Sequence, residues 1–284
     1  MKRTTFGAAI LVAAVVLLLV HPALAQQRGA PRVSPSASVT QIVGITEIAV
    51  TYARPSVRER VIWGELVPYD QVWRTGANEA TTFAISTDAT VEGKPLAAGK
   101  YSLFTIPGKD KWTIIFNQVA EQWGAYQYDA GKDALRIEVG PEPAPFTELH
   151  TLRIDGVTST SARVVIHWEK LRVSFRVEVD TPKLAYERAL KEVAENSEAA
   201  SGWARYFYAE NVHTEKALEW VNANVAAGPS YWNLSLRARL LQRVGNVDEA
   251  KVTAQKAIGM AAEDQYAQFA EEDAKELSEE LKSW

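Results

Sequence analysis

The sequence predicts an α+β protein in separate domains: an antiparallel β-sandwich or jelly-roll-like domain, then a small α-helical-hairpin domain. Three observations carry this expectation. Short runs between Val39 and Val179 alternate apolar with polar residues, the pattern of half-buried strands. Glycine-containing turns join several of those runs at hairpin spacing. From Asp180 onward the spacing becomes helical and no convincing strand follows. Strands first and helices second argue for two domains rather than one α/β sheet.

The elements follow in order. Residues 1–25 read as a signal peptide. Lys2 and Arg3 precede the apolar run Ala8 to Val20, and Pro22-Ala23-Leu24-Ala25 presents small residues for cleavage after Ala25. The apolar run falls short of the about twenty residues of a membrane span, so no span is expected after cleavage, and the destination is periplasmic or secreted. Residues 26–38, polar with Pro31 and Pro35, read as a flexible leader. The β-domain is placed at 39–180. It opens with two strands about Gly44, the second marked by Ile48, Val50 and Tyr52. Phe83 and Ile85 mark another, and Glu92-Gly93-Lys94-Pro95 a turn. YSLFTIP and KWTIIFN flank Gly108-Lys109-Asp110 and predict a hairpin. SARVVIHW and LRVSFRVEV read as a further pair of strands. In the second, Leu171, Val173, Phe175, Val177 and Val179 face a core, while Arg172, Ser174, Arg176 and Glu178 face water.

The helical domain, 181–284, starts with Thr181 as N-cap and Pro182 as the first helical residue. Ala217, Leu218, Val221 and Val225 share one helical face, as do Tyr231, Leu234, Ala238 and Leu241. Gly245 ends that helix, and Asn246 with Glu249 predicts a capping box. Ala238, Gly245, Ala250 and Ala257 resemble one tetratricopeptide repeat, with Trp203 to Pro229 as a degenerate earlier copy.

Composition excludes some chemistry. Net charge is −4 and no basic tract occurs, so nucleic acid is not an expected partner. With no cysteine, thiol nucleophiles, thiolate metal sites and disulfides are ruled out. His150, His167 and His213 show no paired ligand spacing, so neither a transition metal nor another cofactor is expected.

The most distinctive stretch is YARPSVRERVIWGELVPYDQVWRTGANEATT, Tyr52 to Thr82, with AAGKYSLFTIPG and KWTIIFN after it. RPS, LVPY, VWRTGANEAT and AGxYSLFTIPG occur together and in order. Over about Val39 to Asp180 the chain closely resembles the bacterial family catalogued as domain of unknown function 2911. The resemblance implies an exported, β-rich protein and supplies no chemistry. Where the family usually carries glycine, this chain has Glu59 and Asp70; if those glycines take positive φ, aspartate tolerates it better than glutamate, and the turn Arg58 to Arg60 is expected to be rebuilt here.

Candidate site residues cluster here: Arg54, Arg60, Trp73, Arg74, Asn78 and Glu79. Two readings are open. In one, Arg74 and Glu79 pair across a Gly76-Ala77 turn as an internal clasp. In the other, Arg54, Arg60, Arg74 and Asn78 line a pocket for a small anionic ligand held by guanidinium forks. A saccharide ligand would want an exposed aromatic platform. Trp123-Gly124-Ala125-Tyr126 is the candidate, whereas Trp112 and Trp168 sit on strand faces that predict burial. A hydrolase would draw on Ser56, Ser102, His150, His167 or the carboxylates Glu65, Asp70 and Glu79, but no spacing selects a set. A protein partner could dock on 181–284, where Glu271, Glu272, Asp273, Glu279 and Glu280 form either a solvated face or an acidic docking face.

Overall fold

The computed structural model describes residues 31–284. The expected signal peptide and the start of the leader lie outside the described residues. Among the described residues ten strands form two antiparallel sheets. They are β1 (Ser36–Val43), β2 (Thr46–Ala53), β3 (Thr82–Ile85), β4 (Ala89–Val91), β5 (Lys94–Leu96), β6 (Gly99–Ile106), β7 (Trp112–Asn117), β8 (Asp133–Val139), β9 (Glu142–Asp155) and β10 (Ser161–Glu178). The larger sheet runs β1-β2-β3-β6-β7-β8 and the smaller β5-β4-β10-β9. The two layers trap an apolar interior. Phe83 and Phe116 from one sheet meet Phe175 from the other, with ring centroids 5.1, 5.6 and 6.3 Å apart, and all three are fully buried. Truncating such a side chain costs about 3–5 kcal/mol.

The expected hairpin is β6–β7, in register Ile106 to Thr113. The expected strand pair at 161–179 is instead a single strand, β10, 18 residues long. It bends where Glu169 takes φ +56 and the register with β9 shifts on either side. A bulge of this kind redirects a strand without ending it. Trp168 thereby turns inward beneath the loop that follows β2. β9 carries Pro143 and Pro145 at the edge of its sheet, where a missing N–H is tolerated.

Six helices follow: α1 (Thr181–Glu195), α2 (Ala199–Ala209), α3 (Thr214–Ala227), α4 (Tyr231–Arg243), α5 (Val247–Met260) and α6 (Ala267–Leu281). Ala204, Ala217, Ala238, Ala250, Ala254, Ala257 and Ala270 are fully buried, so the helices approach one another over small side chains. The N-cap of α1 is Asp180, whose carboxylate accepts from the Lys183 N–H. Thr181, expected as the cap, donates its hydroxyl to the Ser159 carbonyl at 2.6 Å and ties the helix to the sandwich. Asn246 makes no capping bond to the backbone. Its amide donates to the Glu249 carboxylate at 2.7 Å, and the full capping box sits at Ser230 and Asn233. The acidic run on α6 is partly consumed inward. Arg239 donates to both Asp273 and Glu280, and Asp273 also accepts from the Tyr231 hydroxyl at 2.5 Å. Glu279 pairs with Lys282, and Glu271 and Glu272 are exposed.

Candidate functional site

The stretch Trp73 to Thr81 is fixed by its backbone first. Trp73 exchanges both main-chain hydrogen bonds with Thr105 on β6, at 2.7 and 2.9 Å. The chain then turns through Thr75 at φ +55 and Asn78 at φ +60. Positive φ at a β-branched residue is a steric outlier, worth roughly 1–3 kcal/mol of strain. The surroundings hold it in place. The Thr81 hydroxyl donates to the Thr75 carbonyl at 2.7 Å, and the Trp73 indole N–H to the Gly76 carbonyl at 3.1 Å. Gly76 passes so close to β2 that a Cβ would lie 3.0 Å from the Ala53 carbonyl oxygen. Asn78 donates to the Ser34 carbonyl at 3.2 Å and accepts, through its own carbonyl, from the Gly124 N–H.

This turn forms one wall of a cavity of about 350 Å³. Arg58 and Arg60 stand on another wall, and Trp73, Trp168 and Asn78 also line it, while no aspartate or glutamate does. The segment carrying Arg58 and Arg60 leaves β2 through Pro55 and Ser56 and is pinned to β9: the Val57 N–H donates to the Glu148 carbonyl and the His150 N–H to the Pro55 carbonyl. Arg58 and Glu59 both take positive φ, at 49° and 57°, as does Asp70 at 60°. Both positions where this chain departs from glycine therefore take the left-handed backbone, and glutamate does so at Glu59 although it tolerates it less well than aspartate. Arg60 is oriented by donating to the carbonyls of Val57 and Ser56, at 3.0 and 2.5 Å. Arg74 has no ion-pair or hydrogen-bond partner among the described residues, and its Nε is buried.

The six expected site residues thus divide. Arg60, Trp73, Arg74 and Asn78 share the cavity. Arg54 turns to β9, donating to the His150 carbonyl at 3.0 Å and the Thr151 hydroxyl at 2.7 Å. Glu79 faces a different groove and is held by Arg32 at 2.7 Å through both carboxylate oxygens. That hydrogen bond, ahead of all other influences, keeps the Glu79 carboxyl below its ordinary pKa. The Arg74–Glu79 clasp is consequently absent. With Asn78 at positive φ between them, Arg74 and Glu79 line separate cavities. Sequence reasoning overlooked Arg58 as a wall residue, although its spacing from Arg60 on one turn was a usable signal. Nothing in the leader singled out Arg32.

Behind the cavity lies a tryptophan cluster. Trp73 stacks on Trp168 at 6.0 Å, and Trp63 packs edge-on to Trp73, Trp112 and Trp168 at 5.9, 5.0 and 6.0 Å. Trp112 and Trp168 are buried, as their strand positions predict. His150 sits against this cluster, 5.3 Å from Trp73 and 5.7 Å from Trp168, fully buried with neither ring nitrogen hydrogen-bonded. Burial, reinforced by the Arg54 charge, lowers its pKa to about 3; the Ala53 backbone, short of hydrogen-bond geometry, opposes weakly. His150 is therefore neutral wherever the protein is folded near neutral pH.

Of the other candidates, Ser56 lines the same cavity, and the rest lie elsewhere. Ser102 is buried and donates to the Val119 carbonyl at 2.7 Å. His167 is satisfied by the Pro145 carbonyl and Arg153. Trp123 and Tyr126 are exposed, at 58% and 82%. Among the described residues no three His, Asp or Glu side chains are grouped to hold a metal, and no helix is long and apolar enough to cross a membrane. Residues 34–177 match the model of a family described as a protein of unknown function, DUF2911. No curated protein matches the chain.

Proposed function

We propose that this chain, which belongs to the DUF2911 family, is an exported, non-catalytic binding protein whose arginine-walled cavity holds a small oxyanion, a carboxylate or a phosphate. One observation carries the reading: Arg74 lines the cavity with no partner for its guanidinium among the described residues, beside two further arginines and no lining carboxylate. Leaving a buried N–H unpaired is unfavourable by about 1–3 kcal/mol, and a bidentate anion would satisfy it while offsetting the clustered positive charge. Asn78 adds an amide at the wall, and the indoles of Trp73 and Trp168 supply an apolar side. The volume suits a small metabolite, at the lower end of the roughly 300–1,000 Å³ of ligand pockets. Export rests on the character of residues 1–25.

The test compares native protein with Arg74→Gln by thermal unfolding and calorimetry across phosphate, sulfate and small mono- and dicarboxylates. One anion should raise the native Tm, and the substitution should weaken its binding about 10- to 100-fold, the worth of a charge-assisted contact of 1.5–3 kcal/mol. Because Arg74 satisfies no other group, the unliganded variant should be as stable as native. A variant that loses several kcal/mol, with no anion shifting either protein, would mean the stretch is architecture only.

A further inference from the structure

A second recess lies across the turn from the arginine cavity, on the outer face of the larger sheet, and its chemistry differs. It is a groove of about 710 Å³. Its floor is made of small outward-facing side chains on neighbouring strands: Ala49 beside Ala84, and Thr51 beside Thr82. Any long side chain at these positions would fill the space. The charged residues on its rim are matched in pairs, Arg32 with Glu79 at 2.7 Å and Lys100 with Glu121 at 3.0 Å. The groove therefore presents polar groups without a net charge, unlike the cavity next to it.

Two wall residues point to a ligand. Trp123, backbone-bridged to Glu79, stands 58% exposed over the groove. Gln122 is only 9% exposed, and its amide Nε2 donates to the Val119 carbonyl at 2.9 Å, which fixes which way the amide faces. Its Oε1 is buried with no hydrogen-bond partner among the described residues, an unsatisfied acceptor that a shift of this side chain would bring to the groove.

We infer that this groove is a carbohydrate subsite for a neutral oligosaccharide, separate from the anion cavity. A pyranose presents an apolar face and an equatorial ring of hydroxyl donors. The face suits the exposed indole of Trp123. The hydroxyls suit the remaining lone pairs of the Glu79 and Glu121 carboxylates, and the unsatisfied Gln122 oxygen once its side chain turns toward the groove. A charged glycan would meet no excess of opposite charge.

The experiment titrates the purified protein with cellohexaose, xylohexaose, maltohexaose and chitohexaose, read by calorimetry and by tryptophan fluorescence. At least one should bind and perturb the emission. Trp123→Ala and Gln122→Leu should each weaken it by at least about tenfold, as loss of a central contact does. Neither change strands a buried group: Trp123 is exposed, and the Val119 carbonyl retains the Ser102 hydroxyl. Arg74→Gln should leave sugar binding unchanged, which separates this inference from the anion reading. Failure of all four sugars to bind, or binding that survives Trp123→Ala, would overturn it.

Discussion

His150 gives the sharpest stability prediction. Its ring is sealed among Tyr52, Trp73 and Trp168, with Arg54 on its own carbonyl and no acidic side chain among the influences on its charge. Its folded pKa is about 3, against 6.5 for a solvated ring. The unfolded chain therefore takes up a proton below pH 6.5 that the folded protein refuses down to about pH 3. The sign follows: stability is unaffected by this group above pH 6.5 and falls as the solution is acidified. Integrating the linkage gives a loss of about 2 kcal/mol between pH 7 and pH 5, approaching 1.4 kcal/mol per unit below that. The comparison protein is His150→Phe, similar in shape and free of the unpaired nitrogens, so it should fold at neutral pH. Urea unfolding at pH 7, 6 and 5 would be measured for both. Subtracting the two curves removes the titration of every shared carboxylate. A difference that stays within about 0.5 kcal/mol across this range would refute the sealed, neutral histidine.

Two further substitutions test the backbone. Gly44→Ala places a Cβ 2.1 Å from the Thr181 hydroxyl oxygen and 2.7 Å from the Ser159 carbonyl, at φ +59, and should lower stability in chemical denaturation by at least about 2 kcal/mol. Glu59→Gly should act the other way. At φ +57 on an exposed turn it relieves roughly 1–2 kcal/mol of left-handed strain, less the added freedom of the unfolded chain, for a gain of about 0.5–1 kcal/mol in urea unfolding.

Much of this fold is legible because local pattern and tertiary environment agree. β2 and β3 alternate cleanly, since one face of each is core, whereas β6 and β7 are buried on both faces, Phe104 and Ile115 packing with Ala80 away from the main core, and are legible as β-rich runs about a glycine-containing turn. β9 is hidden by Pro143 and Pro145, which look like breakers until the strand is seen to be an edge. β10 reads as two strands because Glu169-Lys170 interrupts the alternation, whereas a bulge carries the ladder through. At the site, the residue types in WRTGANEATT announce a polar feature, but their pairing is tertiary. Glu79 finds its partner in Arg32, 47 positions away, and no periodicity encodes that. His150 is opaque for the same reason: its solvation depends on four elements meeting around it.

The placement of strain joins these observations to function. Among the described residues nine non-glycine residues take positive φ, and five of them, Arg58, Glu59, Asp70, Thr75 and Asn78, fall within the irregular segment between β2 and β3. That segment also supplies Arg58, Arg60, Arg74 and Asn78 to the cavity. A fold seeking only stability would relax such turns with glycine and would not leave an arginine unpaired. Here the tryptophan cluster and the Trp73–Thr105 bridge hold the loop rigidly enough to sustain both costs. Under the proposed anion-binding role, a backbone held this way would lower the ordering cost of bringing the Arg74 guanidinium onto an anion. The same logic predicts that relaxing Thr75 to glycine would weaken anion binding through looseness rather than through lost contact. Calorimetry on Thr75→Gly should show that loss as a less favourable binding entropy, and an unchanged affinity would show that rigidity of the turn is irrelevant to the site.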